Sequence, residues 1–290
     1  MVVVGVVGGK GGTGKTFVSV NLAVLASRNK HKTLLVDVDV DNPSTKHYLR
    51  LAKARSREVT MFKPIISEKR CKLCFTCINS CPEHALVYIP VDNKIKLLSD
   101  LCSGCSVCMY VCPEKAITEG RKTYGTITYA VIDRYLDVVI GELYPGERHT
   151  INLMIEVLSS IRDMVRKYDV VVIDSPPGVN AGIYEVVRFS DKLVAVTEPT
   201  RLGLNDLKKL VNLILKLGKK PLIILNKHGL KGGIDSEVIG YVEKMGLSLI
   251  KVPYSESIAL KIMKGEVVVN YSEFTSVLNA FNEILRYVVS

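Results

Sequence analysis

The chain has 290 residues, 48% of them hydrophobic, with eight cysteines and a formal charge of +10. That length and apolar content support one large α/β domain with a small insert and exclude global disorder. No apolar run approaches the roughly 20 residues of a membrane span, and the amino terminus enters a strand without a leader-like segment, so no membrane is expected and the expected compartment is the cytoplasm.

The first predicted element is a buried strand, Val2-Val3-Val4-Gly5-Val6-Val7, followed by Gly8-Gly9-Lys10-Gly11-Gly12-Thr13-Gly14-Lys15-Thr16 and then an apolar helix from Phe17. Gly9 to Thr16 fits G-x-x-x-x-G-K-[ST] in its strand-to-helix setting. Glycines let the backbone turn tightly and bring its N–H groups to an anion, and the helix start adds its positive end. The spacing predicts an ATP site in which Gly9, Lys10, Gly11, Gly12, Thr13, Gly14, Lys15 and Thr16 wrap the phosphates. Lys15 would reach the β/γ-phosphates and Thr16 would hold Mg²⁺.

The next strand, Thr33-Leu34-Leu35-Val36-Asp37-Val38-Asp39-Val40-Asp41, ends in alternating carboxylates. At the carboxyl edge of a parallel sheet they would repel one another without a cation. Asp37 is expected near Mg²⁺, and Asp39 is expected to orient the attacking water. Residues 44–66 are basic and read as an irregular connector, with a short strand near Val59-Thr60-Met61-Phe62.

The cysteines form two runs, Cys71-x-x-Cys74-x-x-Cys77-x-x-x-Cys81-Pro82 and Cys102-x-x-Cys105-x-x-Cys108-x-x-x-Cys112-Pro113. Each cysteine of the first recurs 31 positions later, and Glu83 and Ala85 are answered by Glu114 and Ala116. This is a duplicated unit. Disulfides would imply a secreted protein, and zinc does not explain three cysteines at one step plus a fourth before proline. The spacing is that of bacterial ferredoxins, whose fourth cysteine ligates the other cluster. One [4Fe–4S] cluster is therefore expected on Cys71, Cys74, Cys77 and Cys112, and the other on Cys81, Cys102, Cys105 and Cys108. Two such sites lower the charge to roughly +6. With lysines scattered and no basic stripe interleaved with aromatics, nucleic acid is not an expected partner.

Two strands return from the insert, near Thr126–Val131 and Leu136–Gly141, followed by a helix over about 150–167 with Ile151, Met154, Leu158, Ile161 and Val165 on one face. Val170-Val171-Val172-Ile173-Asp174 is an apolar strand ending in an acid, so Asp174 is expected to bind Mg²⁺. Pro176-Pro177-Gly178 then forms a turn able to sense the γ-phosphate. Three more strand–helix units follow. The first runs from Leu193 to a helix at about Leu204, and the others end at Asn226 and Pro253, which are expected beside the base. The last helix, about 272–288, carries an apolar face and Glu283 and Arg286 on the other, which fits packing on the sheet better than membrane binding.

In this order, the loop with its extra Lys10, the D-x-D strand, the doubled cysteine run, Asp174-Ser-Pro-Pro-Gly and Val196-Thr-Glu-Pro-Thr200 resemble the MinD/ParA superfamily of P-loop ATPases with an inserted two-cluster ferredoxin domain. The resemblance implies a doubly wound, mostly parallel α/β sheet like that of the nitrogenase iron protein. It divides the chain into an ATPase core of residues 1–58 and 123–290 and a ferredoxin-like α+β insert of residues 59–122. It also implies a homodimer, slow hydrolysis, a catalytic set of Lys10, Lys15 and Asp39 with Lys10 reaching the nucleotide of a second subunit, and a redox or iron–sulfur partner protein. Arg201-Leu202 and Lys227 depart from the family pattern. The first function implied is an ATPase coupled to electron transfer; alternatives are a cluster-assembly or carrier ATPase and a MinD/ParA-like positioning ATPase.

Overall fold

Runs of Val, Ile and Leu ending in Gly, Asp or Thr build the strands of a computed structural model that describes residues 1–51 and 53–290. Ala52, inside the predicted connector, lies outside the described residues. The elements run β1 (Val2–Val7), α1 (Lys15–Arg28), β2 (Thr33–Asp37), β3 (Arg55–Ile66), α2 (Thr76–Asn79), β4 (Leu86–Ile89), β5 (Lys94–Leu97), α3 (Val107–Tyr110), β6 (Ile117–Val131) and β7 (Leu136–Leu143). They continue with α4 (Thr150–Ile161), β8 (Val170–Asp174), α5 (Ala181–Phe189), β9 (Lys192–Thr197), α6 (Arg201–Lys216), β10 (Leu222–His228), α7 (Asp235–Lys244), β11 (Leu249–Pro253), α8 (Glu256–Met263) and α9 (Thr275–Val289).

The chain divides into two compact units. The first comprises Met1–Ser56, Ile127–Glu142 and Ile151–Ser290. The second comprises Arg57–Thr126 and Leu143–Thr150, so the chain passes between them within β3 and β6, at the end of β7 and at the start of α4.

The strand order is β11-β10-β9-β1-β8-β2-β7-β6-β3, and every pair from β11 to β7 is parallel. This is the expected mostly parallel α/β sheet, and its central strands β9, β1, β8 and β2 are buried on both faces as crossover helices require. Alternation along the strands sorts the core of the first unit. Val4, Val6, Val170, Val172, Val194 and Val196 cluster with residues of α1 and α9, where Phe17 meets Phe281 edge-on at 5.6 Å. The intervening Gly5 lies on the other side, where an added Cβ would sit 3.0 Å from Val186 of α5.

The second unit repeats in its backbone as well as its sequence. Helices α2 and α3 begin 31 residues apart, at Thr76 and Val107, and strands β4 and β6 do the same, at Leu86 and Ile117. Left-handed residues recur at the same step, at Leu73 and Gly104, Phe75 and Ser106, and His84 and Lys115. Cys77, Leu86, Ile95, Cys108 and Ile117 form its core, and β4 pairs with β5 antiparallel.

The structure corrects several predicted boundaries. Much of the expected irregular connector is the 12-residue strand β3. Its basic residues read as a connector, but β3 ends the strand order, where Pro64, which lacks an N–H, is tolerated. The predicted helix over 150–167 stops at Ile161, because Arg162 and Met164 donate to carbonyls three residues back, and a short 3₁₀ turn, Val165–Lys167, follows. Helix α6 starts three residues earlier than expected, because Thr200 caps it by accepting from Gly203 N at 3.0 Å.

Candidate functional site

Parallel strands deliver their carboxyl ends to one edge of the sheet. There β1 feeds the glycine loop, β2 ends at Asp37, β8 at Asp174 and β9 just before Glu198, while β10 carries Asn226 and Lys227. Register sets Asp37 opposite Asp174, and Asp174 opposite Val6 on its other side. The Pro176–Gly178 turn is tied to the loop, with Gly178 N donating to the Gly8 carbonyl at 3.2 Å.

The loop closes through Gly14, whose φ of 95° favours glycine and whose missing Cβ leaves room for Asn226. A Cβ there would lie 2.2 Å from Asn226 Nδ2, which donates to the Thr13 carbonyl at 2.8 Å. A Cβ on Gly9 would meet the Asp206 backbone at 2.6 Å, whereas Gly11 and Gly12 face open space. Helix α1 begins at Lys15 without a side-chain cap. Its first N–H groups therefore remain available to an anion. The Lys15 ammonium donates to the Lys10 carbonyl at 3.3 Å, and Lys15 is 7% exposed.

Three carboxylates gather behind Lys15. Asp37 accepts from the backbone N–H groups of Asp39 and Thr45, both at 3.1 Å. Asp174 accepts from Ser19 Oγ at 2.9 Å through Oδ1, while Oδ2 is buried with no partner among the described residues. Burial pushes the Asp174 carboxyl up to about 6, against the pull of Thr16, Lys15 and Ser19. Burial and the Asp174 charge lift Asp39 to about 6, and burial followed by the Asp174 charge holds Asp37 well above the usual carboxylate range. Burial lowers the Lys15 ammonium, with Asp174, Asp39 and Asp37 opposing it. Acids so close together are stabilised by a cation.

Lys10 is held within its own chain. Its ammonium pairs with Glu198 Oε1 at 2.5 Å, and Lys227 pairs with Oε2 at 2.6 Å while also donating to the Gly12 carbonyl at 3.0 Å. Pro253 ends β11 opposite His228, at the same sheet edge. Sequence reasoning missed Glu198, Lys227 and Ser19 as site residues. Two had a usable signal: Glu198 directly follows an apolar strand, as Asp174 ends one, and Ser19 lies one helical turn beyond Lys15. Lys227 had none, because its contact with Gly12 joins residues far apart in sequence.

In the second unit the cysteines separate into two cavities. One is lined by Cys71, Cys74, Cys77 and Cys112, together with Lys72 and Glu114. The other is lined by Cys81, Cys102, Cys105 and Cys108, together with Glu83 and Ser103. All eight thiols are free of disulfides. Burial and the charges of Cys102 and Cys105 push Cys108 up to about 11; burial and Cys71 raise Cys77. Each set surrounds a space: among the described residues no group of three or more His, Cys, Asp or Glu is placed to hold a single metal ion.

Residues 4–268 match the CobQ/CobB/MinD/ParA nucleotide binding domain. The chain belongs to this family. Among MinD/ParA relatives, the septum site-determining protein MinD of Pyrococcus horikoshii, solved with Mg-ADP, covers 99% of this chain and 95% of its own. Its TM-score of 0.57 at 21% identity shows a shared fold. The uncharacterized protein MJ0579 of Methanocaldococcus jannaschii is 31% identical over all of this chain and 98% of its own length. A 57-residue stretch, 20% of the chain, is 49% identical to 53% of ketoisovalerate oxidoreductase subunit VorD of Pyrococcus furiosus. Among the described residues, no helix of this family member is long and apolar enough to cross a membrane.

Proposed function

We propose that the protein is a MinD/ParA-like ATPase that binds Mg-ATP in the loop Gly9–Thr16, acts as a homodimer and carries two [4Fe–4S] clusters in its second unit. The observation that carries the ATPase reading is the buried Asp174 Oδ2 at the end of β8, near Lys15 and without a hydrogen-bond partner among the described residues. A Mg²⁺ ion fits there, because it takes one or two carboxylates and keeps several waters. When bound, Mg-ATP supplies the phosphoanhydride that water cleaves to ADP and phosphate.

The chain's own groups divide that work. Lys15 neutralises the β/γ-phosphates, and the open backbone at Gly11 and Gly12 supplies N–H donors. Thr16, Asp37 and Asp174 hold the metal. Asp39, partly exposed and pushed up to about 6 by burial and the Asp174 charge, orients the attacking water. Lys10 serves the second subunit after leaving Glu198. Asn226 and Pro253 lie on the base side, with one Asn226 donor already committed to the loop.

The family match and the MinD-like fold favour a nucleotide switch as the primary function, ahead of electron transfer, the first reading of the sequence. A redox role is kept as a second reading because two observations favour it. Each cavity presents four thiols, three from one run and the fourth from the other, the crossed set that two cubanes require. The other is the 57-residue likeness to an oxidoreductase subunit. The clusters, when bound, supply one-electron redox centres; a cluster carrier would use the same ligands. A redox or iron–sulfur protein is the partner this reading implies.

Equilibrium binding of ATP with and without Mg²⁺ tests the site. Wild-type affinity should rise with Mg²⁺, and Asp174→Asn should lose that rise. Equal Mg²⁺ dependence in both proteins would overturn the assignment.

A further inference from the structure

The two cysteine cavities are copies separated by 31 residues, so they can be compared position by position. Much of what surrounds the sulfurs is matched. Ala85 N donates to Cys81 Sγ and Ala116 N to Cys112 Sγ, each at 3.3 Å. Because the fourth cysteines are exchanged, each cavity receives one of these bonds. Glu114 lines the first cavity and Glu83 the second. These contributions cancel.

Two positions do not match. Thr76 Oγ1 lies 3.4 Å from Cys74 Sγ, whereas the equivalent residue in the second copy is Val107, whose side chain has no donor. The neighbouring hydroxyl there, Ser106, donates to the Cys105 carbonyl at 2.7 Å instead. Lys72 lines the first cavity, and its counterpart lining the second is Ser103. A thiolate on iron carries no proton, so in a loaded site the Thr76 hydroxyl must be the donor and Cys74 the acceptor. Among the described residues, the first cavity therefore holds one more side-chain hydrogen bond to sulfur and one more basic lining residue. Reduction adds negative charge to the cluster and its sulfurs, and both features stabilise that charge. Lys72 is exposed and screened by water, so Thr76 carries the larger share.

We infer that Thr76 and Lys72 make the site of Cys71, Cys74, Cys77 and Cys112 the higher-potential of the two, so that a single electron entering the unit rests there. This rests on the two-cluster reading above. The step is one electron: the second site is oxidised by one unit, the first is reduced by one, and no proton or bond is exchanged.

The test is an anaerobic redox titration of the iron-reconstituted full chain, followed by EPR with iron counted in every sample. Wild type should show two one-electron waves separated by a factor of about ten or more in equilibrium constant, about 59 mV. Thr76→Val should lower the upper wave and leave the lower one in place. Lys72→Ser should act in the same direction by less, and Val107→Thr should raise the lower wave. Coincident wild-type waves, or a Thr76→Val protein whose upper wave does not move, overturn the assignment while leaving the two-cluster reading standing. Wild-type iron far below about eight per chain overturns the two-cluster reading itself, and this inference with it.

Discussion

At the scale of single residues, the glycine loop separates folding from binding. Gly14 combines a φ of 95° with a Cβ position 2.2 Å from Asn226 Nδ2. Gly14→Ala should therefore strain the backbone and break the Asn226–Thr13 bond, costing about 1–3 kcal/mol in urea unfolding. Gly11 has no left-handed φ and open space around its Cβ position. Gly11→Ala should unfold within about 0.5 kcal/mol of wild type yet bind ATP more weakly, because the methyl occupies the side left for the phosphates. Equal unfolding of the two variants would contradict this division. The loop, Asp37, Asp39 and Asp174 were legible in the sequence because spacing and strand ends announce them. The pairing of Glu198 with both Lys10 and Lys227 was not, since it depends on β9 and β10 ending beside the loop, a register that no local pattern encodes.

At the scale of elements, strands buried on both faces read as apolar runs, and β1, β2, β8, β9 and β10 were visible for that reason. Strand β3 was mostly hidden because it carries charge at exposed positions and a proline that only an edge tolerates. Helix α9 was read from periodicity, and its burial bears out a packed helix: Phe281 is wholly buried against Phe17 of α1. Phe281→Ala should cost about 3–5 kcal/mol in chemical denaturation through lost contact and the cavity left behind. A loss below about 1 kcal/mol would mean that α9 does not anchor α1. The duplication was legible from cysteine spacing alone. Its extension to the left-handed residues at 73 and 104, 75 and 106, and 84 and 115 required backbone angles.

At the scale of the whole molecule, a formal charge of +10 gives no reliable guide to partners. Three of the cationic side chains, Lys10, Lys15 and Lys227, lie at the glycine loop, where they meet the loop's carbonyls and Glu198. The Lys10–Glu198 pair has a consequence for assembly. If Lys10 serves a second copy, Lys10→Ala should reduce ATP-dependent dimerisation more than ATP affinity, read by sizing on an Asp39→Asn background. Unchanged dimerisation would leave Lys10 as a partner of Glu198 alone. Phosphate release from ATP by the anaerobically purified full chain, followed over a range of protein concentrations, measures most directly whether the molecule is a Mg²⁺-dependent ATPase. Expected is a slow, Mg²⁺-dependent release whose rate per chain rises with protein concentration, falls by about 100-fold or more in Asp39→Asn and disappears in Lys15→Ala. Release that persists without Mg²⁺ or without Lys15, or wild-type release no greater than that of Lys15→Ala, would contradict it.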